Sequence, residues 1–468
     1  MPELTILHWI YLLVVLWVIG SMILRRDVVL PCIVGIFLIG WVFAEFQLVG
    51  AAQTVFRALE TAGTELFDIM LVIALMVSML KALQSIGSDV LMVAPAKRFM
   101  KKPTVAFITL ASVMYIAATF FWPTPAVALV GTILIPVAIS AGLAPMAAAM
   151  ALNLAGHGMA LSGDVVLQGA PAITARAADV DVAQIFTIAW FFALITGLIA
   201  LTVAYFTLRR RNELEASPDE AKKNELLKAA AEAPKPTGVS KFFAAAVPAI
   251  FFLIIIVMIR SNLNPDIPDI KGGGATSLLG GTAAFFLLAA SLGGHGSAAL
   301  EKVVGFLREG FLFSIKIFAA VIPIAGFFFL GAPGLAPAIL GEGAPGFMFD
   351  LGTALANVLP LGTIPLAFGI VLIGIMTGLD GSGFSGLPLV GSLANALGGP
   401  AGVDVATLAA LGQVAAIWTG GGTLTAWAFG VVADAGIAGV SPIELVRRNF
   451  ACVGAGLFVT TIVAILIM

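Results

Sequence analysis

The chain has 468 residues, of which 60% are apolar, 51 are glycine and only 11% are charged. Soluble domains carry roughly 25% charged residues, so this composition excludes a water-soluble globular enzyme and predicts an integral membrane protein. The net charge of -2 gives no bulk attraction for nucleic acid. The two cysteines, Cys32 and Cys452, lie in apolar stretches and are expected to be core residues rather than a disulfide or a metal site.

Long windows without a charged residue predict the membrane-crossing helices, because a span needs about 20 mainly apolar residues. Several windows are long enough for two helices, so we predict an all-α polytopic membrane protein with about 14 membrane segments. The windows are residues 103–163, 182–208, 242–259, 272–300, 317–341, 351–379, 405–433 and 449–468. The first apolar segment, residues 10–24, is expected to remain as an uncleaved anchor, because no small-residue cleavage pattern follows it.

Basic residues gather at five places and predict the orientation, because Lys and Arg next to helix ends stay in the cytoplasm. Both termini then lie outside, and we expect a bacterial cytoplasmic (inner) membrane. The polar stretch 209–241 joins two halves as a solvated cytoplasmic linker, with a regulatory or lipid-binding loop as the alternative. The five clusters are Arg25 and Arg26; Lys97, Arg98, Lys101 and Lys102; residues 209–241; Lys302 and Arg308; and Arg447 and Arg448.

The two halves are similar to each other at a shift of 260 residues. Residues 129–132 (LVGT) then lie opposite residues 389–392 (LVGS), and 141–156 lies opposite 401–416 without a gap. The last helix of the first half ends at Arg209, whereas its equivalent begins beside Arg447, so the repeats are predicted to have inverted topology. Secondary transporters use this architecture for alternating access around a midplane site.

The repeat defines the predicted domains. The first half, residues 1–208, is expected to contain scaffold helices (8–86), a re-entrant hairpin (104–141), a broken helix (145–178) and a final helix (182–208). The second half, residues 242–468, is expected to contain scaffold helices (242–341), a hairpin (361–398), a broken helix (405–433) and a final helix (450–468). The segments outside the repeat would suit a scaffold or dimerisation domain, so a homodimer is left open.

Four Gly-, Pro-, Ser- or Thr-rich breaks interrupt these apolar helices. The hairpin tips are FWPTP (121–125) and DGSGFSG (380–386), and the helix breaks are HGMALSGD (157–164) and IWTGGGT (417–423). Non-helical backbone at membrane depth is tolerated only where protein or a water-filled cavity satisfies it. Half-helix N termini suit an anionic substrate and free carbonyls suit Na⁺, so we expect the four breaks to line one cavity.

A hairpin with a Ser/Thr/Pro-rich tip, followed by PMAAAMALNLAG (145–156), a Gly-rich break and P-A-I, resembles the ion transporter superfamily. This superfamily includes the lactate, gluconate and dicarboxylate permeases and some Na⁺/H⁺ antiporters. The resemblance covers roughly residues 67–181 and 315–468. The Ser-Asn-Thr tips of the dicarboxylate carriers are absent, so the substrate is not carried over. The resemblance implies an ion-coupled carrier of small organic anions whose site lies at the tips and breaks.

Two aspartates are the main candidates for ion or proton coupling. Asp164 and Asp380 border long uncharged windows, and a buried carboxylate costs roughly 2.5 kcal/mol or more, which favours a function as proton carrier or Na⁺ ligand. The alternative for each is a helix N-cap. His157 lies on the same helix face as Asn153 and could relay protons, and a core histidine is equally compatible. Arg176 is expected to extend toward an interface as a structural residue.

Polar and aromatic side chains at the breaks are the candidates for substrate contact. Asn153 and Gln413 occupy equivalent positions in the repeat. The hydroxyls could instead cap helices, and Trp122 could be interior packing. The candidate substrate-binding residues are Trp122, Thr124, Asn153, Ser382, Ser385, Gln413, Thr419, Thr423 and Thr425.

Enzyme motifs are not supported. GFSG (383–386) fits a loose rhomboid-like pattern but no histidine is placed to pair with Ser385, and Asp164 lacks the G-x-G-D of intramembrane aspartyl proteases. We therefore predict a secondary active transporter of a small organic anion such as a mono- or dicarboxylate, driven by H⁺ or Na⁺, with no other cofactor. The alternative is a Na⁺/H⁺ antiporter that uses Asp164 and Asp380 as cation sites.

Overall fold

The structure is a computed structural model of the chain. It describes residues 3–24, 26–215, 237–263, 273–356, 362–379, 381, 383–426 and 428–468. The regular secondary structure of these described residues is helical. The buried apolar side chains of both halves form one continuous core.

The described part of the first half contains nine α-helices of six or more residues. Pro103, Pro123 and Pro145 begin three of them, where a missing N–H costs nothing. Their bounds are α1 Ile6–Ile23, α2 Val29–Phe43, α3 Leu48–Ser85, α4 Ser88–Val93, α5 Pro103–Phe121, α6 Pro123–Ser140, α7 Pro145–Asn153, α8 Gly169–Ala178 and α9 Val182–Arg210. A π-helical segment, Leu154–Ala160, and the turn Leu161–Gly163 follow α7.

The described part of the second half contains ten α-helices. Their bounds are α10 Gly238–Leu263, α11 Gly273–His295, α12 Ala299–Phe329, α13 Ala336–Leu340, α14 Phe347–Ala356, α15 Thr363–Gly378, α16 Leu387–Gly398, α17 Val405–Trp418, α18 Phe429–Ala438 and α19 Pro442–Ile467. A second π-helical segment, Thr419–Thr423, follows α17. The last helix begins at Pro442 rather than at the predicted position 450, because Pro442 after Ser441 is a favourable helix start.

Helix bounds recur between the halves at an offset of 260 residues. The helices α5, α7, α8 and α9 begin at positions 103, 145, 169 and 182, and α15, α17, α18 and α19 begin at 363, 405, 429 and 442. The residues that end α8 and α18, Asp179 and Gly439, both have left-handed backbone conformations. The same local stop signal therefore closes equivalent helices in the two halves.

The equivalent helices α9 and α19 pack side by side and run in opposite directions. The hydroxyls of Thr196 in α9 and Thr460 in α19 are 2.6 Å apart. Seventeen residues further along α9 and its following turn, Glu213 pairs with Arg448 near the start of α19. Contacts that move forward along one chain segment and backward along the other define an antiparallel pair.

Of the described helices, five are long and apolar enough to cross a membrane, and two bent pairs bring this number to seven. Six further helices are apolar but shorter. The predicted total of about 14 segments stays a prediction. Arg176, which was expected to extend toward an interface, instead joins α8 to the scaffold helix α3, because Glu65 lies 3.1 Å from its Nε atom and Asp68 lies 3.2 Å from Nη2.

Candidate functional site

Two interrupted helices cross at the centre of the molecule. Leu154–Ala160 widens into a π-helix after α7, and Thr419–Thr423 does the same after α17. Such π-helical segments are rare and are found frequently at functional sites. Gly422 has a φ of 118°, which a side chain would strain, and its carbonyl accepts a hydrogen bond from Asn153 Nδ2. The two breaks therefore touch each other.

The two breaks are held by a reciprocal pair of amides. Asn153 of the first half donates to the carbonyl of Gly422, and Gln413 of the second half donates to the carbonyl of Ser162 at 3.0 Å. These donors, 153 and 413, and these acceptors, 162 and 422, are each 260 positions apart. Each half thus satisfies the backbone that the break frees in the other half, as membrane burial requires.

A network of four buried polar side chains, Asn153, His157, Asp434 and Asn449, lies beside this crossing. We call it the central polar network. Asp434 Oδ2 accepts a hydrogen bond of 2.7 Å from Asn153 Nδ2 and lies 2.9 Å from His157 Nδ1. Asn449 Nδ2 donates to Asn153 Oδ1 at 2.7 Å and to the Thr423 carbonyl at 3.2 Å. All four residues are 0% exposed.

Asp434 reaches the imidazole because a glycine precedes it by one helical turn. An added Cβ at Gly430 would lie 2.6 Å from His157 Cδ2 and 2.5 Å from the Gly421 carbonyl oxygen. Only glycine therefore allows α18 to approach both breaks this closely. The helix α18 carries the carboxylate into the crossing from the second half, while His157 comes from the first.

Two acceptor atoms of the central polar network remain open. Within the part of the chain that the structure describes, Asp434 Oδ1 and Asn449 Oδ1 are buried and receive no hydrogen bond. Most buried polar atoms in proteins are paired, and an exception is often explained by a role in binding an ion or in catalysis. The Asp434 oxygen can accept a proton, and both oxygens can coordinate a small cation.

The tips of the two helical pairs meet next to the crossing. Trp122, the single residue between α5 and α6, has a φ of 69°, and its ring lies 5.3 Å from the ring of Phe384 after α15. Strained backbone of this kind is concentrated at functional sites. Ser385 is buried beside Phe384. Asp380 and Ser382, which were predicted to contribute to this tip, lie outside the described residues.

The predicted hydroxyl residues mostly satisfy local backbone. Thr419 donates to Ala415, Thr423 to Trp418, and Thr425 to the carbonyls of Thr419 and Gly378. These hydroxyls donate to carbonyls and so do not cap a helix N terminus, and a substrate role for them stays a prediction. Thr124 differs, because its Oγ1 lies 3.4 Å from His157 Nε2 and extends the central polar network to α6.

Asp164 follows the turn Leu161–Gly163 and lies five residues before the start of α8, the second segment of the first broken helix. Its Oδ2 accepts the Ala170 N–H at 2.8 Å, and its own backbone is left-handed. This geometry matches the helix-cap alternative, in which a carboxylate satisfies free N–H groups at the start of α8. A coupling role for Asp164 stays a prediction.

Sequence reasoning missed Asp434 and Asn449. Asp434 ends the uncharged window 405–433, so it was treated as the end of a membrane helix. The equivalent position in the first half is Thr174, which is also polar and buried. This correspondence is the signal that could have identified Asp434 as a buried polar residue. Asn449 follows two arginines, and no sequence pattern separates it from a surface residue.

The comparisons with known proteins place the chain among membrane proteins. No family model matches it. A Bacillus subtilis (strain 168) protein described as "Uncharacterized membrane protein YhfA" is 37% identical over 472 residues, which cover 98% of both proteins. The chain belongs to the YhfA family.

Two solved structures share the fold of this YhfA family member. Neisseria gonorrhoeae MtrF, described as illuminating a class of antimetabolite efflux pumps, has a TM-score of 0.50 and 15% identity, covering 86% of this chain and 83% of MtrF. The Alcanivorax borkumensis YdaH transporter, described as having an unusual topology, has a TM-score of 0.54 and 14% identity, covering 87% of both chains. The likeness concerns the fold alone. Neither is described as a lactate, gluconate or dicarboxylate permease, so that closer resemblance stays a prediction.

Proposed function

We propose that the protein is a secondary active transporter of a small organic anion, coupled to H⁺ through His157 and Asp434. The observation that carries the proposal is the fully buried His157–Asp434 contact at the crossing of two broken helices. A carboxylate at membrane depth costs roughly 2.5–3.5 kcal/mol and is therefore a functional candidate with its partner. The fold shared with two transporter structures supports the same class.

His157 and Asp434 are suited to coupling because the gain or loss of one proton changes the net charge of this pair inside the buried core. His157 comes from the first half and Asp434 from the second, so a proton gained or lost there alters the attraction between the halves. The reversed directions of α9 and α19 support the predicted inverted repeat. A two-state rearrangement of such repeats is the basis of alternating access.

The anion is expected at the tips and breaks, where the Trp122 ring lies 5.3 Å from the Phe384 ring. Its class, a mono- or dicarboxylate, rests on the resemblance to the ion transporter superfamily. Transport can be inward or, as MtrF is described, outward. The measurement must therefore follow both directions.

The test uses the full chain in proteoliposomes with a panel of radiolabelled mono- and dicarboxylates. We expect at least one anion to accumulate under an imposed pH gradient, and Asp434→Asn to reduce this accumulation to the background of empty vesicles. Counterflow exchange should persist, because exchange does not require the return of the coupling ion. Asp350→Asn is the matched control, because Asp350 contacts His8 at 3.2 Å away from the central polar network. Full accumulation by Asp434→Asn would refute the proposal.

A Na⁺/H⁺ antiporter is the second candidate. It is favoured by two buried oxygen atoms of the central polar network, Asp434 Oδ1 and Asn449 Oδ1, because oxygen ligands suit a hard cation. Asp164 and Asp380 are the other predicted cation sites. If no anion moves and Na⁺ dissipates a pH gradient across the same vesicles, this second function replaces the first.

A further inference from the structure

The first residues of α5 lie in a strongly basic part of the chain. Lys101 and Lys102 directly precede Pro103, and Lys97 and Arg98 lie one turn earlier. The sequence has no acidic residue from position 90 to position 163. These four positive charges are therefore not neutralised by neighbours along their own segment.

The end of α9 adds further positive charge at the same place. Thr104 Oγ1 lies 3.2 Å from Tyr205 Oη, and Arg209 Nη1 donates to that hydroxyl at 3.5 Å. Arg209, Arg210 and Arg211 thus lie near the start of α5. Of the two acidic residues that follow in the described segment, Glu213 is paired with Arg448, and the exposed Glu215 offsets one of the seven basic charges. The combined surface attracts an anion.

An exposed apolar stripe leads away from this basic surface along α5. Val105, Ile108 and Ile116 are 40%, 56% and 56% exposed and recur at helical spacing on one face. Such a face in a membrane helix is covered by lipid hydrocarbon. The stripe therefore connects the basic surface directly to the acyl-chain region of the bilayer.

The stripe ends at an apolar cavity of about 190 Å³ between α4, α5, α6 and α10. The side chains that line the cavity are all apolar, and Phe120 and Phe251 meet across it with ring centroids 5.9 Å apart. Other lining residues include Val93, Val113 and Ala117. None of these side chains can form a hydrogen bond with a polar solute.

The distance along α5 matches one leaflet of a membrane. Pro103 and Val113 are ten residues apart, which is about 15 Å of helix. Half of the bilayer hydrocarbon core is also about 15 Å thick. A head group beside Lys101 and Lys102 therefore places the end of its acyl chain at the cavity.

We propose that the basic start of α5, its apolar stripe and this cavity form one binding site for an anionic phospholipid of the cytoplasmic leaflet. The phosphate contacts Lys101 and Lys102, and one acyl chain enters the cavity between the α5–α6 pair and the scaffold helices. The occupied cavity then supports the tip that carries Trp122. This site is independent of the proposed substrate and coupling ion.

The test measures lipid binding to the detergent-solubilised full chain by native mass spectrometry, with titrations of dioleoyl phosphatidylglycerol and dioleoyl phosphatidylcholine. We expect one phosphatidylglycerol to bind at least about tenfold more tightly than phosphatidylcholine. Lys101→Ala with Lys102→Ala should weaken phosphatidylglycerol roughly tenfold or more, because each basic residue near an anionic head group contributes severalfold. Lys302→Ala with Arg308→Ala removes two exposed charges elsewhere and is the matched control.

The cavity is tested separately with Ala117→Leu, which fills it and should weaken both lipids. If Ala117→Leu is not monodisperse, Val113→Leu is used in its place to fill the cavity. The variants of the exposed Lys101 and Lys102 test the head-group contact in either case. Equal binding of the two lipids, an equal loss in the Lys302 and Arg308 control, or unchanged binding after the cavity is filled would each overturn the proposal.

Discussion

At the scale of single residues, Asn153 is a predicted site residue that makes three buried hydrogen bonds. It donates to Gly422 and to Asp434 and accepts from Asn449. Replacement by alanine removes one buried hydrogen bond from each of these three partners, and each lost bond costs about 1 kcal/mol or more. We expect Asn153→Ala to lower the free energy of unfolding by about 3 kcal/mol or more, measured by thermal unfolding in detergent. Gln184→Ala, which removes an exposed amide from α9, should change it by less than about 0.5 kcal/mol.

Gly430 and Gly436 lie in the same helix and provide a matched pair. An added Cβ at Gly430 meets His157 and the Gly421 carbonyl, whereas Gly436 has open space around it. We expect Gly430→Ala to abolish transport and to reduce stability, because backbone and a buried ring cannot move aside. Gly436→Ala should retain transport and gain up to about 1 kcal/mol from its higher helix propensity. Equal activity of the two variants would show that α18 does not need its close approach.

At the scale of elements, α9 and α19 are joined by a hydroxyl pair, Thr196 and Thr460. Interhelical hydrogen bonds in membrane proteins average about 0.6 kcal/mol, with a maximum near 1.7 kcal/mol. A double-mutant cycle of Thr196→Val and Thr460→Val should therefore give a coupling energy of about that size. Thr187→Val in place of Thr196→Val is the control, because Thr187 bonds only within α9. A coupling of zero would mean that this contact does not join the two helices.

The positions of the helix breaks were easier to predict from the sequence than the contacts between helices. Charge-free windows and Gly-rich breaks place the interruptions at 157–164 and 417–423, and the π-helical segments lie there or directly before. Pairing was not predictable, because Asp434 meets His157 across 277 positions and Asn449 meets Asn153 across 296. Helical spacing defines which face a residue occupies, but it does not define which other helix covers that face.

At the scale of the whole molecule, the antiparallel arrangement of α9 and α19 predicts which ends share a side of the membrane. Cysteines introduced at Arg210 and Arg447 should react with an impermeant maleimide from the cytoplasmic side, and a cysteine at Met468 from the other side. The native thiols of Cys32 and Cys452 are buried, so they add little background. Labelling of all three positions from one side would disprove the inverted arrangement.

Three of the four residues of the central polar network have no polar, titratable equivalent at the repeat-related position. At the offset of 260 residues, His157 corresponds to Ile417, Asp434 to Thr174 and Asn449 to Ala189, although the supporting amides Asn153 and Gln413 are present in both halves. If His157 and Asp434 are the proposed coupling pair and act alone, the protein carries one coupling charge per turnover rather than two. Symport of a monoanion with one H⁺ would then be electroneutral, so a membrane potential alone should drive no uptake, whereas a dianion would leave the cycle electrogenic.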